Sequence, residues 1–172
     1  HGASAARMAA RSHASALHAA ASAGHSACLQ LLLAHSRRED GGRERSSPGA
    51  ALLQTDGAWR SPLLCAAAAG HGDCVDLLVA AGALVEQADR EGNTPLLSAC
   101  TSGDPKAVAV LLAAGAAPRH CNAAGDDGLM LAAMRGHLAI LPLLLPACAS
   151  RLPYAMVRAA AVGHTRTAVA LV

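Results

Sequence analysis

Short apolar runs recur along the chain at a nearly constant interval, and a glycine separates the members of each pair. A run of leucine and alanine ends just before Gly24, Gly70, Gly103, Gly136 and Gly163, and a second, leucine-rich run usually follows within about ten residues. Runs of this length and spacing predict pairs of short helices joined by a glycine turn. The three middle glycines lie 33 residues apart, and this period is typical of an array of small helical units.

The first helix of each pair has a recognisable start in the two middle units. Ser61 precedes Pro62 and Thr94 precedes Pro95. A hydroxyl side chain caps a helix, and proline fits the first helical position because its missing N–H has no partner there anyway. The glycine after each helix suits a left-handed cap. Helices this short cannot bury an apolar face alone, so we expect the units to stack and share one long core.

The two middle units resemble ankyrin repeats. Residues 89–116 read DREGNTPLLSACTSGDPKAVAVLLAAGA, and residues 56–83 read DGAWRSPLLCAAAAGHGDCVDLLVAAGA. The family pattern runs Asp-x-x-Gly-x-Thr-Pro-Leu-His-x-Ala-Ala-x-x-Gly-His, followed by an apolar helix and Gly-Ala. The resemblance extends over residues 15 to 172 in about five copies. It implies an all-α repeat solenoid of about five stacked helix-turn-helix units with short hairpin loops.

The resemblance also divides the chain. Repeats one to five are predicted at residues 15–34, 56–88, 89–121, 122–148 and 149–172, the last one truncated. Residues 1–14 are expected to be irregular or the end of a preceding repeat, and residues 35–55 a charged loop insertion. The segment 35–48 has no aliphatic side chain, so we expect a mobile excursion, or alternatively a partner-specific or modified insert. The chain starts at His1, and we expect a piece of a longer protein.

Four departures from the family pattern lie at the ends of helices and in hairpins. Trp59 replaces the hairpin glycine, so either the turn is rebuilt or the indole is displayed to a partner. Asp127-Gly128 replaces Thr-Pro in repeat four. Pro142 is expected to interrupt the second helix of that repeat. The glycine of repeat five comes six residues early, so the hairpin before it, through Arg151, must be abbreviated.

Composition and charge exclude several classes of partner. Aromatic residues make up 1% of the chain, which argues against an aromatic-lined small-molecule pocket and against a stacking platform for bases. Fourteen basic and twelve acidic residues give a net charge of +2, too balanced for a nucleic-acid footprint. The longest apolar stretch, residues 138–149, contains two prolines and is shorter than the roughly 20 residues of a membrane span. The basic, Ala- and Ser-rich N-terminus has the composition of a transit peptide, but repeat one already lies there.

The six cysteines include no CxxC pair. Cys28 and Cys74 are expected to open second helices and Cys65 and Cys100 to lie in first helices, all four as small buried apolar side chains. The other two, Cys121 and Cys148, are expected in connecting segments. This usage predicts neither a disulfide framework nor a zinc site, and it favours a reducing, intracellular location, cytoplasmic or nuclear.

The histidines and carboxylates suggest no catalytic or metal site. His25, His71, His137 and His164 recur with the repeat, so they lie too far apart to share one ion at about 2 Å per ligand. We expect them to close the turn between two helices through hydrogen bonds. The adjacent carboxylates at 126 and 127 precede a helix, where the helix dipole explains them. No nucleophile elbow or phosphate loop is present, so we predict no enzyme, no metal and no cofactor.

The resemblance implies a partner protein or peptide rather than a small-molecule substrate. In such arrays the hairpin tips and the exposed side of the first helices form the concave face. By resemblance, the contact positions on this concave face are Arg60, Arg90, Glu91, Asn93, Thr101, Ser102, Asp126, Met134, Arg135 and Arg151. Their mixture suggests a partly apolar partner with acidic groups. The alternatives are the substrate-recruiting arm of a larger enzyme assembly, such as a ubiquitin ligase adaptor or a kinase, and a structural spacer.

Overall fold

The computed structural model describes residues 16–39 and 52–164, and the side chains of 16–35 and 52–164. Within these ranges the regular secondary structure is helical, with no β-strand. The N-terminal segment 1–14, residues 40–51 of the insertion and residues 165–172 of repeat five lie outside the described residues. The role predicted for the insertion falls on them for the most part.

Most of the described helices form pairs joined by a short turn. Two 3-10 turns, Leu138–Ile140 and Ala149–Arg151, precede the last two helices. The α-helices are α1 (described over residues 16–22), α2 (Ser26–Glu39), α3 (Pro62–Ala68), α4 (Gly72–Ala80), α5 (Pro95–Ser102), α6 (Pro105–Ala113), α7 (Gly128–Arg135), α8 (Leu141–Cys148) and α9 (Leu152–Ala161).

The first helices stack on one another and the second helices form a parallel row. Helix α5 packs between α3 and α7, α7 packs against α9, and α4 packs between α2 and α6. One continuous core of leucine and alanine runs through the repeats, including the fully buried Leu63, Leu111, Leu129 and Leu144. The chain is therefore a helical repeat solenoid, as the sequence predicts.

Helix starts and ends follow the local signals in the sequence. Ser61 Oγ accepts a hydrogen bond from the Leu64 N–H at 3.2 Å, and Thr94 Oγ1 accepts one from Leu97 at 3.4 Å. Gly103 closes α5 with a φ of 81°, a left-handed conformation that favours glycine. These caps confirm where the sequence predicts the first helices of the two middle units to start, and Gly103 confirms the predicted glycine cap.

Asp127 replaces the hydroxyl cap in repeat four. Its Oδ1 accepts a hydrogen bond from the Met130 N–H at 2.9 Å, which confirms a role at the helix start. Its Oδ2 is buried without a hydrogen bond, and Arg151 Nε lies 3.7 Å away, at ion-pair rather than hydrogen-bond distance. The neighbouring Gly128 leaves no room for the family's proline, because a Cβ there would lie 2.9 Å from Cys100 Sγ.

Four expectations about the connections need revision. Helix α2 continues through residues 35–39, so the insertion cannot begin as a loop at residue 35. Pro142 lies in the first turn of α8 rather than interrupting it, and Pro146 is the proline inside that helix. Cys148 is the last residue of α8 and fully buried, not part of a connecting segment. Cys28 is exposed because Leu29, its neighbour in α2, faces the core instead.

The last described helices join end to end. A 3-10 turn links α8 to α9 where the other repeats have a hairpin, so the predicted abbreviation removes the hairpin entirely. Leu138–Ala161 consequently forms a helical stretch of 24 residues with a mean hydropathy of 1.4, long and apolar enough to cross a membrane by length and composition alone. This is longer than the sequence pattern indicates, but a single stretch of this kind is weak evidence, and α9 packs against α7 in the stack.

Candidate functional site

Three hairpin tips, one per repeat, have the same backbone design. They span residues 56–60, 89–93 and 122–126. In each tip the first residue donates its N–H to the carbonyl of the fifth and accepts from the N–H of the fourth, at 2.9–3.1 Å. The side chain of the first residue, Asp56, Asp89 or Asn122, accepts two further backbone N–H bonds within its own turn. The tips are thus fixed locally by their first residue.

The second tip is also bonded to the third. Asn122 Nδ2 donates to Asn93 Oδ1 at 3.0 Å, and the Ala123 N–H donates to the Glu91 carbonyl at 2.9 Å. His120 Nε2 lies 3.1 Å from the Gly92 carbonyl, an acceptor, so the ring nitrogen donates. These bonds hold neighbouring tips in a fixed register, while the side chains of Arg90 and Glu91 remain exposed.

Trp59 adopts the turn that glycine makes in the other tips. Its φ is 65°, compared with 77° for Gly92 and 80° for Gly125. The indole is 58% exposed, and the Arg90 guanidinium carbon lies 5.8 Å from the ring centroid. The turn therefore keeps its shape, so the expectation of a rebuilt turn is wrong, and the indole lies at the surface.

Arg60 forms an ion pair at the base of the first tip. Its Nη2 lies 2.7 Å from Asp56 Oδ2, and its Nε donates to the same oxygen at 2.8 Å. Desolvation raises the Asp56 pKa, but the bonds from the Arg60 side chain and from the Arg60 and Ala58 N–H groups outweigh it. The net effect lowers the Asp56 pKa from 3.8 to about 2. The Arg60 carbonyl, in turn, bonds to His18 Nε2 of repeat one at 2.9 Å.

The backbone N–H of each periodic histidine closes the turn after its first helix, as predicted, by donating to the carbonyl five residues back at 2.9–3.0 Å. The rings of two of them also connect neighbouring repeats. His71 Nε2 bonds to the Ser22 carbonyl of repeat one at 3.1 Å, and His137 Nε2 bonds to the Thr101 carbonyl of repeat three at 3.0 Å. Each imidazole lies against the glycine that ends the preceding first helix. A Cβ on Gly103 would overlap the His137 ring, and one on Gly24 would lie 2.7 Å from His71. These glycines are required by the next repeat as well as by their own turn.

Thr101 and Ser102 lie half-buried at the end of α5. Thr101 Oγ1 donates to the Leu97 carbonyl at 3.0 Å. Ser102 Oγ donates to the Ala67 carbonyl of repeat two at 2.8 Å. Ser102 precedes Gly103-Asp104, which in repeat three replaces the Gly-His of the other repeats. Both hydroxyls therefore make internal bonds, and only part of each side chain remains for a partner.

Repeat four contributes both an exposed and an internal group. Arg135 is exposed and Met134 half-buried at the end of α7. Asp126 is only 8% exposed, and Arg158 Nη2 of α9 donates to its two oxygens at 2.7 and 2.9 Å. Its carboxylate is therefore occupied within the stack. Sequence reasoning missed Arg158, although opposite charges one repeat apart are the signal that would have found it.

Arg151 lies in the 3-10 turn before α9 rather than on a hairpin tip. Its Nη2 donates to Cys121 Sγ at 3.4 Å, and its Nε faces Asp127. The structure thus brings Arg60, Arg90, Glu91 and Asn93 together on adjacent tips and places Arg151 with the connection between the last two repeats.

Four of the six cysteines are buried and offer little reactivity. Burial raises the pKa of the Cys65, Cys74 and Cys148 thiols, and it raises that of Cys100 to about 12. These four thiols therefore stay protonated at neutral pH. Among residues 16–39 and 52–164, no group of three or more His, Cys, Asp or Glu side chains is placed to hold a metal ion.

Comparisons with known proteins agree with this architecture. A family model described as ankyrin repeats (3 copies) matches residues 45–122, and a model for a single ankyrin repeat matches residues 12–39. A search of curated proteins found no match. Residues 123–164 lie outside the matched ranges, yet α7, α8 and α9 continue the same stack. Repeats of this kind generally serve as protein–protein interaction modules and are typically non-catalytic. With more than half of its residues matched, the chain belongs to the ankyrin repeat family.

Proposed function

We propose that this chain is a non-catalytic scaffold that binds a partner protein or peptide through its concave face. The observation that carries the proposal is that some residues of each tip hold the backbone while others face outward. Asp89 and Asn122 fix the turn backbone and Asn93 joins neighbouring tips, whereas Arg90 and Glu91 have no role in the core. A rigid backbone with free outward side chains suits recognition of another polypeptide, because little entropy is lost on binding.

The free cations on this face favour acidic groups in the partner. Arg90 and Arg135 are exposed, and within the described part of the chain neither forms an ion pair. Met134, next to Arg135, adds a half-buried apolar and adaptable side chain. Guanidinium groups bind carboxylates in a bidentate manner, so this pair of arginines suits an acidic segment with apolar side chains.

The carboxylates of the same face are largely engaged internally. Asp56 is paired with Arg60 and Asp126 with Arg158. Asp89 accepts bonds from two backbone N–H groups and the Asn93 amide of its own turn. Glu91 is the remaining exposed carboxylate of the second tip, and it faces Asn93 Nδ2 at 3.3 Å. The outward charge available to a partner is therefore mainly positive.

The test uses partners selected from a displayed library of protein fragments against the wild-type chain. The double variant Arg90→Glu, Arg135→Glu should have a lower association rate constant. Adding Met134→Glu should raise the dissociation rate constant, so that the triple variant loses about tenfold or more in affinity. Lys106→Glu is the control, since it makes the same charge change as one of the two arginine substitutions. It lies on α6, away from the tips, where Lys106 forms an exposed ion pair with Asp73. Normal binding by the triple variant at moderate salt would contradict the proposal.

We also propose an intracellular site of action. Cys65, Cys74, Cys100 and Cys148 serve as buried apolar side chains with protonated thiols, a use that suits a reducing compartment. Fractionation of cells expressing the tagged full-length protein tests this, and recovery from the secreted fraction would contradict it.

A further inference from the structure

Trp59 has two energetically unfavourable features that the fold does not require. Its backbone is in the left-handed region, which side chains with a Cβ disfavour, and the equivalent positions in the next two tips are both glycine. Its indole is 58% exposed instead of contributing to the core. Glycine at this position would make the same turn without either cost. Strained residues of this kind are found preferentially at ligand-binding positions.

The arginine that contacts the indole is itself exposed. The Arg90 guanidinium lies 5.8 Å from the ring centroid, within cation–π range, and Arg90 forms no ion pair among the described residues. Arg60, the other arginine nearby, is neutralised by Asp56. The first and second tips therefore present an exposed indole with an exposed guanidinium over its ring.

We propose that Trp59 and Arg90 form an anchor subsite for an extended peptide carrying a large apolar side chain and, two residues later, an aspartate or glutamate. In an extended chain, residues i and i+2 face the same side about 7 Å apart, close to the 5.8 Å between the ring and the guanidinium. The apolar side chain packs on the indole while the carboxylate pairs with Arg90. This subsite deepens the proposed concave-face function and depends on it.

The energetic logic predicts an uncommon combination for Trp59. Tryptophan and arginine are the residue types that most often dominate binding energy, because they bury large areas and make directed contacts. A residue kept for binding at the expense of the turn should be dispensable for folding. Trp59→Gly, which copies the residue of the next two tips, should therefore weaken binding while leaving the melting temperature unchanged or higher.

The experiment selects phage-displayed peptides of about ten residues, long enough to cross two tips, against wild type and Trp59→Gly in parallel. We expect enrichment of apolar-x-acid sequences on the wild type alone. The enriched peptides, made synthetically, are then titrated while the fluorescence of Trp59, the sole tryptophan, is recorded. The indole emission should shift on binding, and affinity should fall about tenfold or more in Trp59→Gly. Arg90→Gln should abolish the preference for the acid but not for the apolar residue.

Tyr154→Ala is the matched control, because Tyr154 is an aromatic side chain of similar exposure, 61%, on α9. The anchor is wrong if both selections enrich the same sequences, if no apolar-x-acid pair emerges, or if Trp59→Gly lowers the melting temperature markedly. If Trp59→Gly binds normally but the Arg135→Glu, Met134→Glu variant loses affinity, the anchor subsite is wrong and the concave-face proposal stands. Normal binding by both variants would reject the concave face itself.

Discussion

At the scale of single residues, the ion pair between Asp56 and Arg60 links stability to pH. Asp56 has a pKa of about 2 in the folded chain and an ordinary value of 3.8, so the folded state binds its proton less readily. The stabilisation is therefore fully present above about pH 4 and is lost as pH falls towards 2. Because the Arg60 side chain is 48% exposed, solvent screens the pair, and it contributes at most about 1 kcal/mol.

Asp56→Asn should isolate this effect. Asn122 shows that an amide oxygen accepts the same two backbone N–H bonds, so the substitution removes the charge and keeps the turn. At neutral pH we expect the variant to melt slightly below the wild type, and the two melting temperatures should converge between pH 4 and 2. Melting curves followed by circular dichroism measure this. A gap that is independent of pH would show that Asp56 acts only through hydrogen bonds.

Residue-level prediction from sequence succeeded where the cause is local. Ser61 and Thr94 cap their helices because the hydroxyl and the N–H that it binds are three residues apart. The engagement of Asp126 could not be predicted in this way, because its partner Arg158 lies 32 residues away in the next repeat. The surface predicted from resemblance therefore included a carboxylate that the stack already uses.

At the scale of elements, the rings of His71, His137 and His164 lie against the glycine of a preceding repeat, and we infer that this contact sets the spacing between those repeats. Gly103 and Gly115 both have positive φ, 81° and 88°, so alanine is strained at either position. Only Gly103 faces a neighbouring ring, that of His137, whereas a Cβ on Gly115 meets nothing within 4 Å. Comparing alanine substitutions at these two glycines thus distinguishes the effect of backbone strain from the effect of packing between repeats.

Gly115→Ala should cost about 1–2 kcal/mol from backbone strain alone. Gly103→Ala should cost about 1–3 kcal/mol more, because the added methyl group displaces His137 and its bond to the Thr101 carbonyl. Denaturant unfolding of the two variants measures the difference. Equal losses would mean that the imidazole moves aside freely and that the histidine contact does not set the spacing.

Element prediction was most successful where the repeat pattern is regular. Helices α3 to α6 follow from caps, prolines and the 33-residue period. The end of repeat four was predicted poorly, because Pro142, expected to interrupt the helix, instead lies in the first turn of α8. The persistence of α2 to Glu39 was also missed, since a charged segment without aliphatic residues gives no periodic signal.

At the scale of the whole molecule, burial depends on a neighbouring repeat. Leu64, Leu97 and Met130 occupy equivalent positions in α3, α5 and α7, and they are 1%, 1% and 5% exposed. Val157 occupies the same position in α9 and is 68% exposed, because no described helix covers that face. The same position of the repeat is therefore buried where a further helix follows in the stack and exposed on the last described helix.

This contrast predicts unequal effects of similar truncations. Leu97→Ala should destabilise the fold by about 2–5 kcal/mol, since it leaves a cavity between stacked helices. Val157→Ala should change stability by less than about 0.5 kcal/mol, as expected for an exposed site. Denaturant titration compares them directly. A large loss in Val157→Ala would mean that residues outside the described part cover α9.

Under the proposed function, the array presents its partner with the hairpin tips and the ends of the first helices. Hydrogen exchange of the backbone amides, measured with and without a partner selected on the wild-type chain, tests this most directly because it maps contact without any substitution. We expect added protection at residues 57–60, 90–93 and 134–136, and none on the exposed side of α4 and α6. Protection confined to α4 and α6, with unchanged tips, would contradict it.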